Sequence, residues 1–259
     1  MEGPMNALEK FSLEGKTALV TGGNRGLGRG IAQALGEAGA AVAVTARTEE
    51  AAKAAAAELG ELGIRAYGLR LEVSDMDDVE RAVATISAEF GEIDVLVNNA
   101  GVSIGAAAFD APDSTWREVM STNVDGVWYC SRAVGRRMRE RSGGTIVNIG
   151  SISAEIVNQP RWQVSYLTSK AAVHQMTRAL AAEWAPYGIR VNAVAPGYFL
   201  TEASPVDQPE YKPYCVDPAA MKRYGEPDEL GPTIIYLASD ASSFMTGSIV
   251  KIDGGYTLF

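Results

Sequence analysis

Cysteine and histidine are almost missing from this 259-residue chain: Cys130, Cys215 and His174 are all there is. Two cysteines without CxxC spacing exclude a disulfide framework and a dithiol redox pair, and point to a reducing, cytosolic compartment. A single histidine leaves too few imidazoles for a zinc centre, so no metal is expected. Positive charge is also short, 23 Lys and Arg against 32 Asp and Glu, and the net charge of −9 argues against nucleic-acid or anionic-membrane partners. No run of about 18 apolar residues occurs, and Met1 to Lys10 carries two glutamates in place of an apolar core, so neither a membrane span nor a secretory leader is expected. Linkers and repeats are lacking, with the 11 prolines scattered apart from a loose cluster between Pro205 and Pro218. One domain over 1–259 is the expectation, with a flexible tail at 1–10.

Apolar content is ample at 47%, and it comes in short runs separated by helical patterns. The runs are 17–20, 41–45, 66–71, 94–97, 145–149, 190–194 and 248–252; the helical stretches lie near 26–38, 48–62, 75–90, 113–140, 164–186 and 227–238. Val, Ile and Leu runs without strict alternation suit parallel strands covered on both sides. The spacing therefore predicts an α/β single-domain, doubly wound fold with a seven-stranded parallel sheet and helices on both faces.

The first run feeds Thr21-Gly22-Gly23-Asn24-Arg25-Gly26-Leu27-Gly28, which opens the first helix. Glycines there permit turn conformations closed to other residues and let backbone N–H groups approach an anion at the helix's positive end. A dinucleotide is the expected guest, in a GxxxGxG variant of the Rossmann turn. The second strand ends in Ala46-Arg47-Thr48, where a carboxylate would take a ribose 2′-hydroxyl and an arginine a 2′-phosphate. Arg47, seconded by Arg25, favours NADP over NAD.

Tyr166 and Lys170 are four apart and so share a helix face. Bringing a tyrosine from about pH 10 to neutrality requires about 4 kcal/mol. An ammonium about 4 Å away at an effective dielectric near 20 supplies roughly that much. Ser151, at the end of the 145–149 run, faces the crevice where doubly wound sheets bind ligands and can donate to a substrate oxygen. Asn123 sits inside the long 113–140 helix, where asparagine is a mediocre former, so a local distortion freeing a carbonyl for water is expected there.

In this order, Thr21–Gly28, Asn98-Asn99-Ala100-Gly101, Asn123, Ser151, Tyr166-x-x-x-Lys170 and Pro196-Gly197 through Thr201 resemble the short-chain dehydrogenase/reductase family over 11–259. The resemblance implies a Ser-Tyr-Lys-Asn tetrad: Tyr166 as general acid/base, Lys170 lowering its pKa and holding the nicotinamide ribose, Ser151 orienting the carbonyl, Asn123 holding a relay water. It places Asn99, Ala100, Gly101, Pro196, Gly197, Phe199 and Thr201 on the cofactor, and Glu72 with Val73 by the adenine, Glu72 standing where an Asp is usual. Family spacing puts the serine 13 residues before the tyrosine, at Ser153; Ser151, 15 before, is preferred because the strand fixes it.

The stretch 153–163 and the ending Asp253-Gly254-Gly255-Tyr256 are similar to the polyol and ketose branch, near gluconate 5-dehydrogenase-like, mannitol- and sorbose-type enzymes. Ser153, Asn158, Gln159 and Gln163 then bind hydroxyls and Trp162 covers a sugar. The 202–222 segment is expected to be a substrate loop, with Tyr211, Tyr214 and Met221 as wall candidates. The family also implies a homotetramer built on helices 113–140 and 164–186, which carry Trp116, Met120, Trp128, Met138, Val173, Met176 and Trp184. Three functions stay open at this point: an NADP-linked enzyme of polyols, ketoses or sugar acids, a 3-oxoacyl thioester or broad ketone reductase, and a catalytically silent dinucleotide sensor.

Overall fold

The structure, a computed structural model, describes residues 6–141 and 143–259. Its seven strands are β1 (Thr17–Val20), β2 (Ala41–Ala46), β3 (Ala66–Arg70), β4 (Val95–Asn98), β5 (Gly144–Ile149), β6 (Ile189–Pro196) and β7 (Ile249–Ile252), all paired in parallel in the order β3-β2-β1-β4-β5-β6-β7. The helices are α1 (Gly26–Glu37), α2 (Glu49–Glu61), α3 (Met76–Glu89), α4 (Asp113–Met120), α5 (Gly126–Glu140), α6 (Val164–Trp184), α7 (Lys212–Cys215) and α8 (Gly231–Ala238). The expected doubly wound sheet is what forms, and β6 alone runs appreciably past its expected end, through Pro196.

Strand side chains alternate between two cores, as the pleat demands. Val20, Val95, Val97 and Val147 pack with Ile31 and Leu35 of α1 and Ile234 of α8. Leu19, Leu96 and Ile146 pack on the opposite face with Val79 and Ile86 of α3 and Val134 and Met138 of α5. Because both sides are covered, the strands tolerate no polar face, which explains their continuous apolar runs.

Chain order reverses between β1 and β4, so the loops after those strands diverge and leave a crevice at the carboxyl ends. A buried amide chain keys the sheet beneath it. Asn98 Nδ2 of β4 donates to Asn148 Oδ1 of β5 at 2.8 Å and to Ser131 Oγ of α5 at 2.9 Å, and Asn148 Nδ2 donates to Thr177 Oγ1 of α6 at 2.9 Å.

Two departures concern connections. Of the expected tail at 1–10, residues 1–5 lie outside the described residues; residues 6–10 form a turn in which Asn6 Oδ1 accepts the Leu8 and Glu9 N–H groups, leading into a 3-10 turn at Glu9–Phe11. The 202–222 loop carries its own small core, in which Val206, Cys215 and Val216 are buried against Tyr198, Leu200, Tyr211 and Tyr224.

Candidate active site

One cavity of about 750 Å³ runs along the crevice. Its lining includes Gly22, Asn24, Arg25, Gly26, Leu27, Gly28, Arg47, Thr48, Glu72, Val73, Asn99, Ala100, Gly101, Tyr166, Lys170, Pro196, Gly197, Phe199 and Thr201, which is every residue expected on the cofactor. Ser151, Ser153 and Asn158 line it too.

The glycine turn fits a dinucleotide by what it leaves open. α1 begins with no side-chain cap and no acidic residue in its first turn, so its amides remain available to an anion. Gly26 has φ of 53°, and a Cβ there would meet nothing closer than 3.7 Å, so the empty space is a place for another group to approach the backbone. The turn is tied to the β4 end through Thr21, whose Oγ1 accepts the Asn99 and Ala100 N–H groups at 3.0 Å each, while Asn99 Nδ2 donates to the carbonyls of Thr21 and Gly22. Thr21 was legible only as part of the glycine stretch; its bracing function depends on partners 78 and 79 residues away.

At the β2 end, Thr48 Oγ1 caps α2 by accepting from Ala51 N–H. Arg47 is exposed and, among the described residues, forms no ion pair; Glu49, the nearest candidate in sequence, is held by Lys53 at 3.0 Å. Arg25 lies 3.8 Å from Glu202 of the loop, both side chains being mostly solvent-exposed. Glu72 turns toward its own loop, accepting from Ser74 Oγ at 2.8 Å, and its backbone N–H is held by Asp78 Oδ2. That local turn, and not the added methylene, sets where Glu72 points.

The reacting groups sit where β5 ends against α6. Ser151 Oγ accepts the Ser153 N–H at 3.1 Å, which leaves its own proton free to donate, and it lies in hydrogen-bond reach of Tyr166. Ser153 lines the cavity as well, its N–H held by Ser151 Oγ. Lys170 is buried, and its Nζ donates to Ile149 O at 2.7 Å while standing 5.6 Å from the centre of the Tyr166 ring.

The electrostatics differ from the expectation that Lys170 depresses Tyr166. Burial pushes the Tyr166 phenol up, and only the Ser151 hydroxyl pulls it back. Burial likewise pushes Lys170 down to about 8, because a low-dielectric pocket disfavours its charged form. The pocket therefore holds the phenol in its proton-bearing state.

Asn123 falls in a π turn, Ser121–Asp125, that separates α4 from α5 and carries a Gly126 N–H to Ser121 O bond. The helix distortion expected at asparagine is present. Its side chain, however, does not line the cavity: Oδ1 accepts Val102 N–H at 2.8 Å, and Nδ2 donates to Val102 O and to Ser169 Oγ. Ser169 in turn donates to Tyr166 O. Asn123 thus clamps the loop after β4 to the helix that presents Tyr166.

Trp162 is the expected substrate contact that fails. It is 53% exposed and outside the lining, whereas Arg161 and Gln163 are inside. An extended segment sends neighbouring side chains to opposite sides, and the bridge between Ala106 and Gln163 fixes which side is which. Of the wall candidates, Tyr211 lines the cavity; Met221 lines a smaller one beside it, and Tyr214 lines neither. The unforeseen wall residue is Tyr198, whose hydroxyl accepts from Asn158 Nδ2 at 2.8 Å. Asn158 is 6% exposed and its Oδ1 has no partner.

The helices expected to carry an assembly keep much of their apolar surface inside. Met138 and Val173 are fully buried, and Trp128, Met176 and Trp184 pack against the second core, leaving Trp116 exposed at 44%. No helix among the described residues is long and apolar enough to cross a membrane, and none of their His, Cys, Asp and Glu side chains gather as a metal site would.

Comparison with known proteins agrees with this geometry. A family model described as enoyl-(acyl carrier protein) reductase matches residues 22–257. The chain is 44% identical over 253 residues to galactitol 2-dehydrogenase (L-tagatose-forming) of Cereibacter sphaeroides, covering 96% of this chain and 98% of that one. It is 45% identical over 259 residues to galactitol 2-dehydrogenase of Rhizobium johnstonii, covering 98% and 99%. A crystal structure of a gluconate 5-dehydrogenase from Burkholderia cenocepacia J2315 in complex with NADP and tartrate superposes with a TM-score of 0.94 at 37% identity, covering 98% of this chain and all of that one.

Proposed function

The chain belongs to the short-chain dehydrogenase/reductase family and is an oxidoreductase of alcohols and ketones that binds a nicotinamide dinucleotide; from that premise we propose that it interconverts a secondary alcohol and a ketone in a polyol, ketose or sugar acid, preferring NADP(H). The observation that carries the substrate class is the polar wall beyond Tyr166. Ser103, Ser153, Asn158, Arg161, Gln163 and Tyr198 line it, a set of hydrogen-bonding side chains that suits a polyhydroxylated substrate. Preference for the phosphorylated cofactor is supported by Arg47, unpaired among the described residues at the β2 end, with Arg25 beside the glycine turn.

The glycine turn, Asn99 to Gly101 and Pro196 to Thr201 would hold the dinucleotide along the crevice, and its nicotinamide would supply or receive the hydride. Tyr166 gives its phenolic proton to the carbonyl oxygen during reduction and takes it back during oxidation. Ser151 orients that oxygen with its free hydroxyl proton. Lys170, anchored on Ile149 O beside the Tyr166 ring, is placed to hold the nicotinamide ribose against the phenol. Asn123 keeps the Val102 loop and the Tyr166 helix in register. The exposed Trp116 and the family's habit of assembly support a homotetramer, which sedimentation of the purified chain will test.

The function is tested by following oxidation of NADPH and NADH against fructose, sorbose, xylulose, a ketogluconate, an acetoacetyl thioester and ethyl acetoacetate, with Tyr166→Phe as control. Turnover of the ketoses or keto acids, faster with NADPH and lost in the variant, is the expected result. Activity confined to oxo esters and thioesters overturns the substrate class, and a preference for NADH overturns the part given to Arg25 and Arg47.

A further inference from the structure

The β5 backbone is secured one residue at a time as it leaves the sheet. Ile149 O takes the Lys170 ammonium at 2.7 Å, and Gly150 N–H makes the last ladder bond, to Val194 O at 2.8 Å. Ser151 N–H lies one step past the ladder and is buried, where an unsatisfied donor is costly. Its acceptor is His174 Nε2 at 3.5 Å.

His174 is the chain's only histidine and is 3% exposed. It follows Tyr166 and Lys170 at the same four-residue interval, so α6 presents the three side chains in one row against residues 149–151. The imidazole comes so close that a Cβ on residue 150 would collide with Nε2, which accounts for glycine there. An imidazole packed merely as an apolar filler has no need of such an approach to the backbone.

We infer that His174 is a positioning residue for the reaction: its neutral imidazole accepts the Ser151 backbone N–H through Nε2 and so fixes the direction in which the Ser151 hydroxyl is presented to the substrate oxygen. The inference rests on the part given to Ser151 above. It requires Nδ1 to carry the proton and Nε2 to be bare. Burial pushes His174 down to about 4, so the accepting form persists through the neutral range. The charges facing it are Glu155, which pulls it up, and Arg178, Lys170 and Lys251, which push it down; Lys251 is itself paired to Glu155 at 2.6 Å.

Two experiments test this. Because there is one histidine, the imidazole ¹⁵N resonances of the whole chain need no assignment, and their shifts report the tautomer without reference to substrate or activity. The expected pattern is Nδ1 protonated and Nε2 unprotonated from about pH 5 upward; an Nε2–H tautomer overturns the inference even if the proposed function stands. In the second, His174→Leu and His174→Gln are assayed on the holoenzyme in the native and Ser151→Ala backgrounds, with NADPH binding measured by fluorescence. His174→Leu is expected to lower kcat about tenfold with KM and NADPH affinity within about twofold, His174→Gln to recover most of that loss, and neither to act further once Ser151 is alanine. No loss of kcat, or an equal loss in both backgrounds, overturns it. A His174→Leu chain that fails to fold leaves the tautomer and the glutamine variant to decide.

Discussion

The two ends of the cavity are built to different tolerances. At the reacting end Ser151, Lys170 and Asn123 are buried, and each is held by a named partner on another element: the Ser153 N–H and His174, Ile149 O, and Val102 with Ser169. At the other end Arg47 stands in solvent and Arg25 has only a 3.8 Å approach to Glu202, which is still more exposed than it is. Proton and hydride transfer depend on sub-ångström placement, and packing supplies it. A 2′-phosphate needs charge within reach, and flexible arginines supply that without a fixed scaffold. Changes at the first end should therefore remove activity, whereas changes at the second should redirect it.

The contrast is sharpest for Tyr166→Phe, which is expected to lower kcat by about 10³-fold or more while NADPH affinity, read by fluorescence titration, stays within about twofold. A comparable loss of NADPH affinity would erase the distinction between the ends. Next, Arg47→Ala should reduce kcat/KM for NADPH by about ten- to a hundredfold and leave NADH untouched, since a charge-assisted bond is worth about 1.5–3 kcal/mol; steady-state kinetics with both cofactors decides this, and a loss with NADH as well would mean a structural role. Asn158→Leu should raise KM for a polyhydroxylated substrate about tenfold and spare simple ketones, because it removes the Nδ2 bond that holds the Tyr198 hydroxyl in the polar wall.

Acidity separates the ends in a further, smaller way. Burial keeps Tyr166 protonated, so the ratio of alcohol oxidation to ketone reduction should climb with pH, as a pH series of both rates will show. The stability of the chain without cofactor follows from the two depressed bases. Lys170 falls from 10.5 to about 8 on folding, and His174 from 6.5 to about 4. Within each interval the unfolded chain binds more protons than the folded one, so each group makes stability rise with pH there and withdraws it as pH falls. Denaturant titrations of His174→Gln should show the slope between about pH 4 and 6.5 flattened, with the one between about 8 and 10.5 retained.

Much of the cavity was legible in the chain because its groups come from short stretches of fixed local geometry. A strand, a glycine turn and a helix place Gly22 to Gly28, and a helical interval places Tyr166 and Lys170. Asn123 was readable for a related reason, since a poor helix former inside a long helical pattern marks where the helix changes. Most of the misses are decisions made between distant segments. Which side Trp162 takes depends on the bridge from Ala106 to Gln163, and Tyr198 is set by Asn158, 40 residues earlier. Thr21 is likewise fixed by partners 78 and 79 residues away, whereas the direction of Glu72 is set nearby, by Ser74 and Asp78.

The π turn at Ser121–Asp125 has a consequence for the long helical segment as a whole. An extra residue in one turn advances everything after it by about 100° around the axis, so α4 and α5 address the sheet in different phases although they run nearly end to end. Point substitutions can weaken that offset but cannot cancel it; only the loss of one residue can. Deleting Thr122 would let a regular helix close its hydrogen bonds and would swing Asn123 off Val102, yielding a chain whose helix is more regular and whose chemistry is gone. In this protein the irregular turn is a count of residues, made or removed by one residue more or fewer.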